Sequence, residues 1–75
     1  MIIVNVVDSR GNPVRGARVH ISWRGGWMGS VSDERTDSNG RAYFRWESGS
    51  GTILVDGQEV FDGYIQGEIT VLYRY

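Results

Sequence analysis

Two turn signatures constrain this chain more than any other feature. Asp8-Ser9-Arg10-Gly11-Asn12-Pro13 follows a short apolar run, and Val14-Arg15-Gly16-Ala17-Arg18-Val19 leads out of it. Thr36-Asp37-Ser38-Asn39-Gly40 stands before a second alternating run, Arg41-Ala42-Tyr43-Phe44. Asp8 can accept from backbone amides two residues on, Gly11 tolerates positive φ, and Pro13 presets φ near −65°. Asn39 and Gly40 tolerate the left-handed region that a tight hairpin needs. Corners of this kind join strands, so the chain reads as all-β.

Apolar spacing at three and four residues is missing from every ten-residue window, so no helix is predicted. Short β-rich segments recur between turn residues at a spacing of roughly 8–12 residues, the pattern of a sandwich or barrel. The first strand is Ile2 to Val7, with Ile2, Val4 and Val6 on one face. The second is Ala17 to Trp23, with Ala17, Val19, Ile21 and Trp23 inward and Arg18, His20 and Ser22 outward. Val31 to Thr36 is polar and reads as an edge. Arg41 to Trp46 follows, with Ala42, Phe44 and Trp46 inward and Arg41, Tyr43 and Arg45 outward. Glu47 to Gly51 reads as a flexible loop, and Thr52 to Asp56 as a fifth strand broken at Gly57. Gln58 to Phe61 continues it or forms a short sixth. Asp62-Gly63 marks a turn, Tyr64 to Gln66 is a short extended piece, and Glu68 to Tyr75 is the last strand.

Seventy-five residues make one domain, spanning 1–75. A chain of this length hides only about 60% of the surface its unfolded form exposes, so the core is thin. With no cysteine, neither a disulfide nor a thiolate metal site can reinforce it. Three tryptophans, four tyrosines and two phenylalanines supply the bulk instead. Self-association is the other usual remedy for a small core. The net charge is −1, from eight basic and nine acidic residues spread along the chain. No basic stripe exists, which argues against nucleic acid. No apolar stretch approaches the ~20 residues of a membrane helix, so no insertion is expected. Met1 leads directly into a strand, which reads as no signal peptide.

The turns and their strands resemble the carboxypeptidase-regulatory-like domains, a transthyretin-like β-sandwich group, with the Ig-like Big-1 and Cna-B surface modules close behind. The pattern Val-x-Asp-x-x-Gly-x-Pro-Val-x-Gly-Ala-x-Val runs from Val6 to Val19, and Thr-Asp-x-x-Gly-x-Ala-x-Phe from Thr36 to Phe44. Gly51-Thr52-Ile53-Leu54-Val55 echoes a later Gly-x-Tyr-x-Val strand, with Ile53 where tyrosine is usual. The resemblance covers residues 1–56. It implies a Greek-key sandwich of about seven strands without catalytic residues, an accessory, spacer or adhesive module. It also favours the cell surface or a virion as its location.

The residue inventory opposes an enzyme. His20 is the only histidine, and it alternates with Val19 and Ile21, so it faces solvent or sits beside Tyr43. No second histidine and no cysteine stand ready for a triad or a shared metal. Asp33, Glu34, Asp37 and Asn39 are oxygen-rich, but their spacing misses the calcium-loop template and reads as turn capping. The glycines at 25, 26 and 29 precede neither a helix nor a lysine, so they make no phosphate cradle. No cofactor is expected.

The candidate binding residues are Trp27 and Met28 in the glycine-rich loop, Arg24 beside it, and Tyr43 and Arg45 on the fourth strand. Trp and Arg are enriched among residues that dominate binding energy. Trp27 can equally fold back and close one end of the core. Should the last strand lie beside the fourth, Leu72 and Arg74 join its outer patch. The last strand ends in Val71-Leu72-Tyr73-Arg74-Tyr75, without proline or lysine to guard it, and such an edge invites another strand. The expected function is a non-enzymatic structural or protein-interaction module that self-associates or takes a protein partner through the loop and an edge. The alternative is a carbohydrate-binding module stacking sugar on Trp27 and Tyr43, with Arg24 or Asp62 bonding hydroxyls.

Overall fold

A computed structural model describes residues 1–24 and 31–74 of the chain. Seven strands form in order: β1 (Ile2–Val7), β2 (Arg18–Trp23), β3 (Val31–Arg35), β4 (Arg41–Phe44), β5 (Ser48–Val55), β6 (Gln58–Gln66) and β7 (Glu68–Leu72). They make two sheets, one in the order β4-β1-β7 and the other β3-β2-β5-β6. β1 pairs antiparallel with β4 and parallel with β7. Every pair in the larger sheet is antiparallel. The connections β1–β2, β3–β4, β4–β5 and β6–β7 each cross from one sheet to the other.

Strict alternation builds the core, because side chains along a strand leave opposite faces. Ile2, Val4 and Val6 of β1 and Val19 and Ile21 of β2 are completely buried. Trp23, Ala42, Phe44, Ile53, Val55, Ile65 and Val71 join them in one apolar cluster. The two sheets therefore bury their inner faces against each other, in a sandwich-like arrangement.

The two turn signatures meet in space. Val6 N donates to Gly40 O at 2.7 Å, and Val14 N donates to Val6 O at 2.9 Å. Asp8 Oδ1 accepts from the amides of Arg10 and Asn12, and Asp37 Oδ1 from those of Asn39 and Arg41. Thr36 ties the corners together. Only 5% of it is exposed. Its hydroxyl accepts from Ala17 N at 2.8 Å and donates to Val14 O at 2.6 Å. That satisfies a buried amide and a part-buried carbonyl that no strand serves.

Several expectations need correction. β4 ends at Phe44, not Trp46, because Phe44 pairs with Ile2 and β1 starts there, leaving no ladder to follow. Trp46 is therefore not an inward strand residue. It is 39% exposed, lies against Trp23 with ring centroids 5.2 Å apart, and donates Nε1 to Ser32 Oγ. Ser48 to Gly51, expected as loop, belongs to β5. The glycines there mark close approach rather than freedom. A Cβ on Gly51 would lie 2.7 Å from Ser22 O, and one on Gly49 would meet the Trp23 ring. Asp62-Gly63 is no turn, since both residues pair with β5 inside one continuous β6. The true turns are Asp56-Gly57, both at positive φ as a two-residue I′ hairpin requires, and Gly67 between β6 and β7.

Candidate functional site

Sheet topology singles out one edge. β7 is flanked by β1 on one side and by no described strand on the other. The backbone bonds at its two ends settle its orientation. Ile3 N donates to Gly67 O, and Tyr73 N donates to Val7 O. Odd-numbered residues of β7 thus turn their amides and carbonyls toward β1. Glu68, Thr70 and Leu72 turn theirs outward, since direction alternates along a strand.

The other edges are better guarded. β3 carries Asp33, Glu34 and Arg35 in five residues, β4 is four residues long, and β6 has a register shift opposite Ile53/Leu54. Charge, shortness and bulges are the usual devices against strand pairing. β7 carries one charge, Glu68, and that side chain is occupied by Asn5 Nδ2 at 2.7 Å. Ile69 and Val71 face the core, and Leu72 is 49% exposed on the outer face.

The predicted binding residues divide among three places. Trp27 and Met28 lie outside the described residues. Tyr43 is exposed on the outer face of the smaller sheet, opposite Ile3 of β1, and Arg45 follows the end of β4. Arg24 stands on the outer face of the other sheet, where its guanidinium meets Asp62 at 2.8 Å. One ligand therefore cannot bridge Tyr43 and the Arg24–Asp62 pair. The condition for Leu72 and Arg74 to join the Tyr43 patch is not met, because β1 lies between β4 and β7. Leu72 pairs in register with Val7 and Tyr43 with Ile3, at opposite corners of the sheet. The Arg41 side chain reaches Asn5 Oδ1 at 3.3 Å instead.

His20 does not sit beside Tyr43; its neighbours are Asp33 on β3 and Leu54 on β5. Its Nδ1 lies 2.9 Å from Asp33 Oδ1, which also accepts from Arg18 Nε at 3.2 Å. The His20 contact, with help from Arg18, holds the Asp33 carboxyl below the usual aspartate range. Arg18, Asp33, Glu34 and Arg35 line an open depression of about 410 Å³ nearby, with opposite charges interleaved. Asp8 and Asp37 are lowered chiefly by the backbone amides of Asn12 and Arg41 that they cap. Asp56 is lowered first by the Tyr73 hydroxyl, which donates to Oδ2 at 2.7 Å. Among the described residues no three His, Cys, Asp or Glu side chains converge as metal ligands.

Sequence reasoning missed two features here. Which β7 amides point outward depends on the β1 partner, which the chain order does not announce. Tyr64, read as part of a short extended piece, stands 55% exposed on the larger sheet near Arg24 and Asp62. Its alternation with Ile65 was the available signal. No family model matches the chain, and no curated protein matches it either.

Proposed function

We propose that the chain is a non-enzymatic structural or protein-interaction module that binds by strand addition at the β7 edge. One observation carries this: Glu68, Thr70 and Leu72 present outward backbone groups on the least protected edge described. Main-chain bonds supply affinity in such pairing, and side chains at alternate positions supply selectivity. A thin core adds a reason, because an added strand buries more apolar surface. The turn signatures support placing the sandwich among the Greek-key, carboxypeptidase-regulatory-like or Ig-like modules, whose accessory and adhesive roles agree with this reading. Trp27 and Met28 remain its second contact on sequence grounds.

Thr70→Pro tests the proposal. Proline at position 70 removes an outward amide and leaves the bonds toward β1 in place. The probe is a labelled peptide with the sequence of residues 67–74, followed by anisotropy, beside light scattering of the chain across a dilution series. Saturable peptide binding by the parent and its loss in Thr70→Pro are expected. Absent binding, or equal binding by a folded Thr70→Pro variant, overturns the reading.

A further inference from the structure

The register of β2, β5 and β6 assembles a polar platform on the outer face of the larger sheet. Ser22 pairs with Thr52 and Thr52 with Asp62, so these three share one row. Arg24 N donates to Ser50 O, and Ser50 pairs with Tyr64, which makes the next row. Ser48 opposite Gln66 makes the third. The floor along β5 carries only serine and threonine side chains, so it is low and flat. It spans two strand spacings, roughly 10 Å, and about 13 Å along β6.

Two planar groups are fixed over this floor. The Arg24 guanidinium reaches across β5 to Asp62 Oδ1. That oxygen also accepts from Thr52 Oγ1 at 3.1 Å. The Tyr64 hydroxyl donates to Ser48 Oγ at 2.9 Å, which holds the ring beside the pair. The pair is half-exposed and contributes little to stability. What the arrangement offers is chemistry: further guanidinium N–H donors next to Asp62 Oδ2, which no described residue engages. Adjacent donors and an acceptor match neighbouring hydroxyls, each of which both donates and accepts. An exposed aromatic ring beside them suits the C–H face of a sugar ring.

We infer that Tyr64, Arg24 and Asp62 form a binding platform for a neutral polyhydroxylated ligand, a short stretch of uncharged glycan. Charge selects the neutral class, because Asp62 neutralises Arg24 and no other charged side chain lies in these three rows. This site is separate from the β7 edge, and it replaces Tyr43 with Tyr64 as the stacking residue.

Affinity electrophoresis of the full chain through gels containing soluble β-glucan, xylan, α-glucan or mannan, with polygalacturonate as the charged comparison, tests the inference. Retardation by at least one neutral glycan is expected, with no retardation by polygalacturonate. Tyr64→Ala and Asp62→Ala should each weaken binding at least about tenfold, the scale of one lost stacked or hydrogen-bonded contact. Tyr64→Phe keeps the ring and should bind within about threefold of the parent, as should the distant Thr70→Pro. Far-ultraviolet circular dichroism certifies that each variant is folded. Retention by none of the neutral glycans overturns the inference. So does binding that survives Tyr64→Ala in a folded protein, or retardation by polygalacturonate alone.

Discussion

Replacing Gly40 should destabilise this domain far more than replacing Gly11, although both have similar backbone angles. Gly40 has φ +75° and Gly11 φ +83°. An alanine at either position pays the left-handed penalty of roughly 1–2 kcal/mol. A stiffer unfolded chain returns about 0.4–1 kcal/mol of that. At Gly11 a Cβ meets nothing within 4 Å, so the net cost should stay within about 0–1.6 kcal/mol. At Gly40 the Cβ would lie 2.7 Å from Val6 O and 2.9 Å from Pro13 Cβ. Neither neighbour can withdraw cheaply. Val6 O accepts from Val14 N, Val6 N donates to Gly40 O, and Pro13 bridges to Val7. Overpacking against such atoms adds about 1–3 kcal/mol. Gly40→Ala should thus exceed Gly11→Ala by about 2 kcal/mol, or about 8–16 °C in melting temperature for a domain of this size. Gly40→Val should cost more again, since a branched Cβ resists positive φ. Urea and thermal unfolding followed by tryptophan fluorescence measure the difference. Equal costs within about 0.5 kcal/mol would refute the docking of one turn against the other.

Thr36→Val keeps the side-chain shape but strands the buried Ala17 N, at about 1–3 kcal/mol, and the part-buried Val14 O, at about 1 kcal/mol, so it should cost about 2–4 kcal/mol in urea unfolding. Thr36→Ser keeps the hydroxyl and should lose about 1 kcal/mol, the value of a buried methyl group; similar losses for both variants would contradict the hydrogen-bond account. Acid should destabilise the domain. Asp8, Asp33, Asp37 and Asp56 all titrate below their ordinary value in the folded state, so their contribution is complete above that value and fades as pH falls through the lowered folded ones. A urea midpoint that stays constant as pH drops from about 5 to about 2 would contradict this sign.

Local chemistry made most of the fold legible. Ile2, Val4, Val6, Val19 and Ile21 announce their faces by alternation alone, and Gly40 announces its turn by residue type. Failures arose where a long-range partner decides the outcome. Ser48 to Gly51 looks flexible until the Trp23 ring and Ser22 O occupy the space that a side chain would need. Asp62-Gly63 has turn composition, yet Thr52 and Gly51 of β5 hold it extended. Trp46 fits an inward alternation that stops where the β1–β4 ladder ends, at Ile2 and Phe44. The candidate sites were half legible for the same reason. Arg24 and Asp62 carry suggestive chemistry in the chain, but only the β2-β5-β6 register shows that they meet and that Tyr43 stands elsewhere. An unguarded C-terminal strand is visible in its composition, whereas its parallel seat beside β1 is not.

Residue-resolved amide exchange tests the β7 edge most directly. In dilute, unliganded chain the Ile69, Val71 and Tyr73 amides should exchange slowly, while Thr70 and Leu72 exchange fast. Adding the residue 67–74 peptide should slow Thr70 and Leu72 and leave the odd-numbered amides unchanged. Thr70 and Leu72 protected from the outset, or indifferent to saturating peptide, would contradict an edge held open for a partner strand.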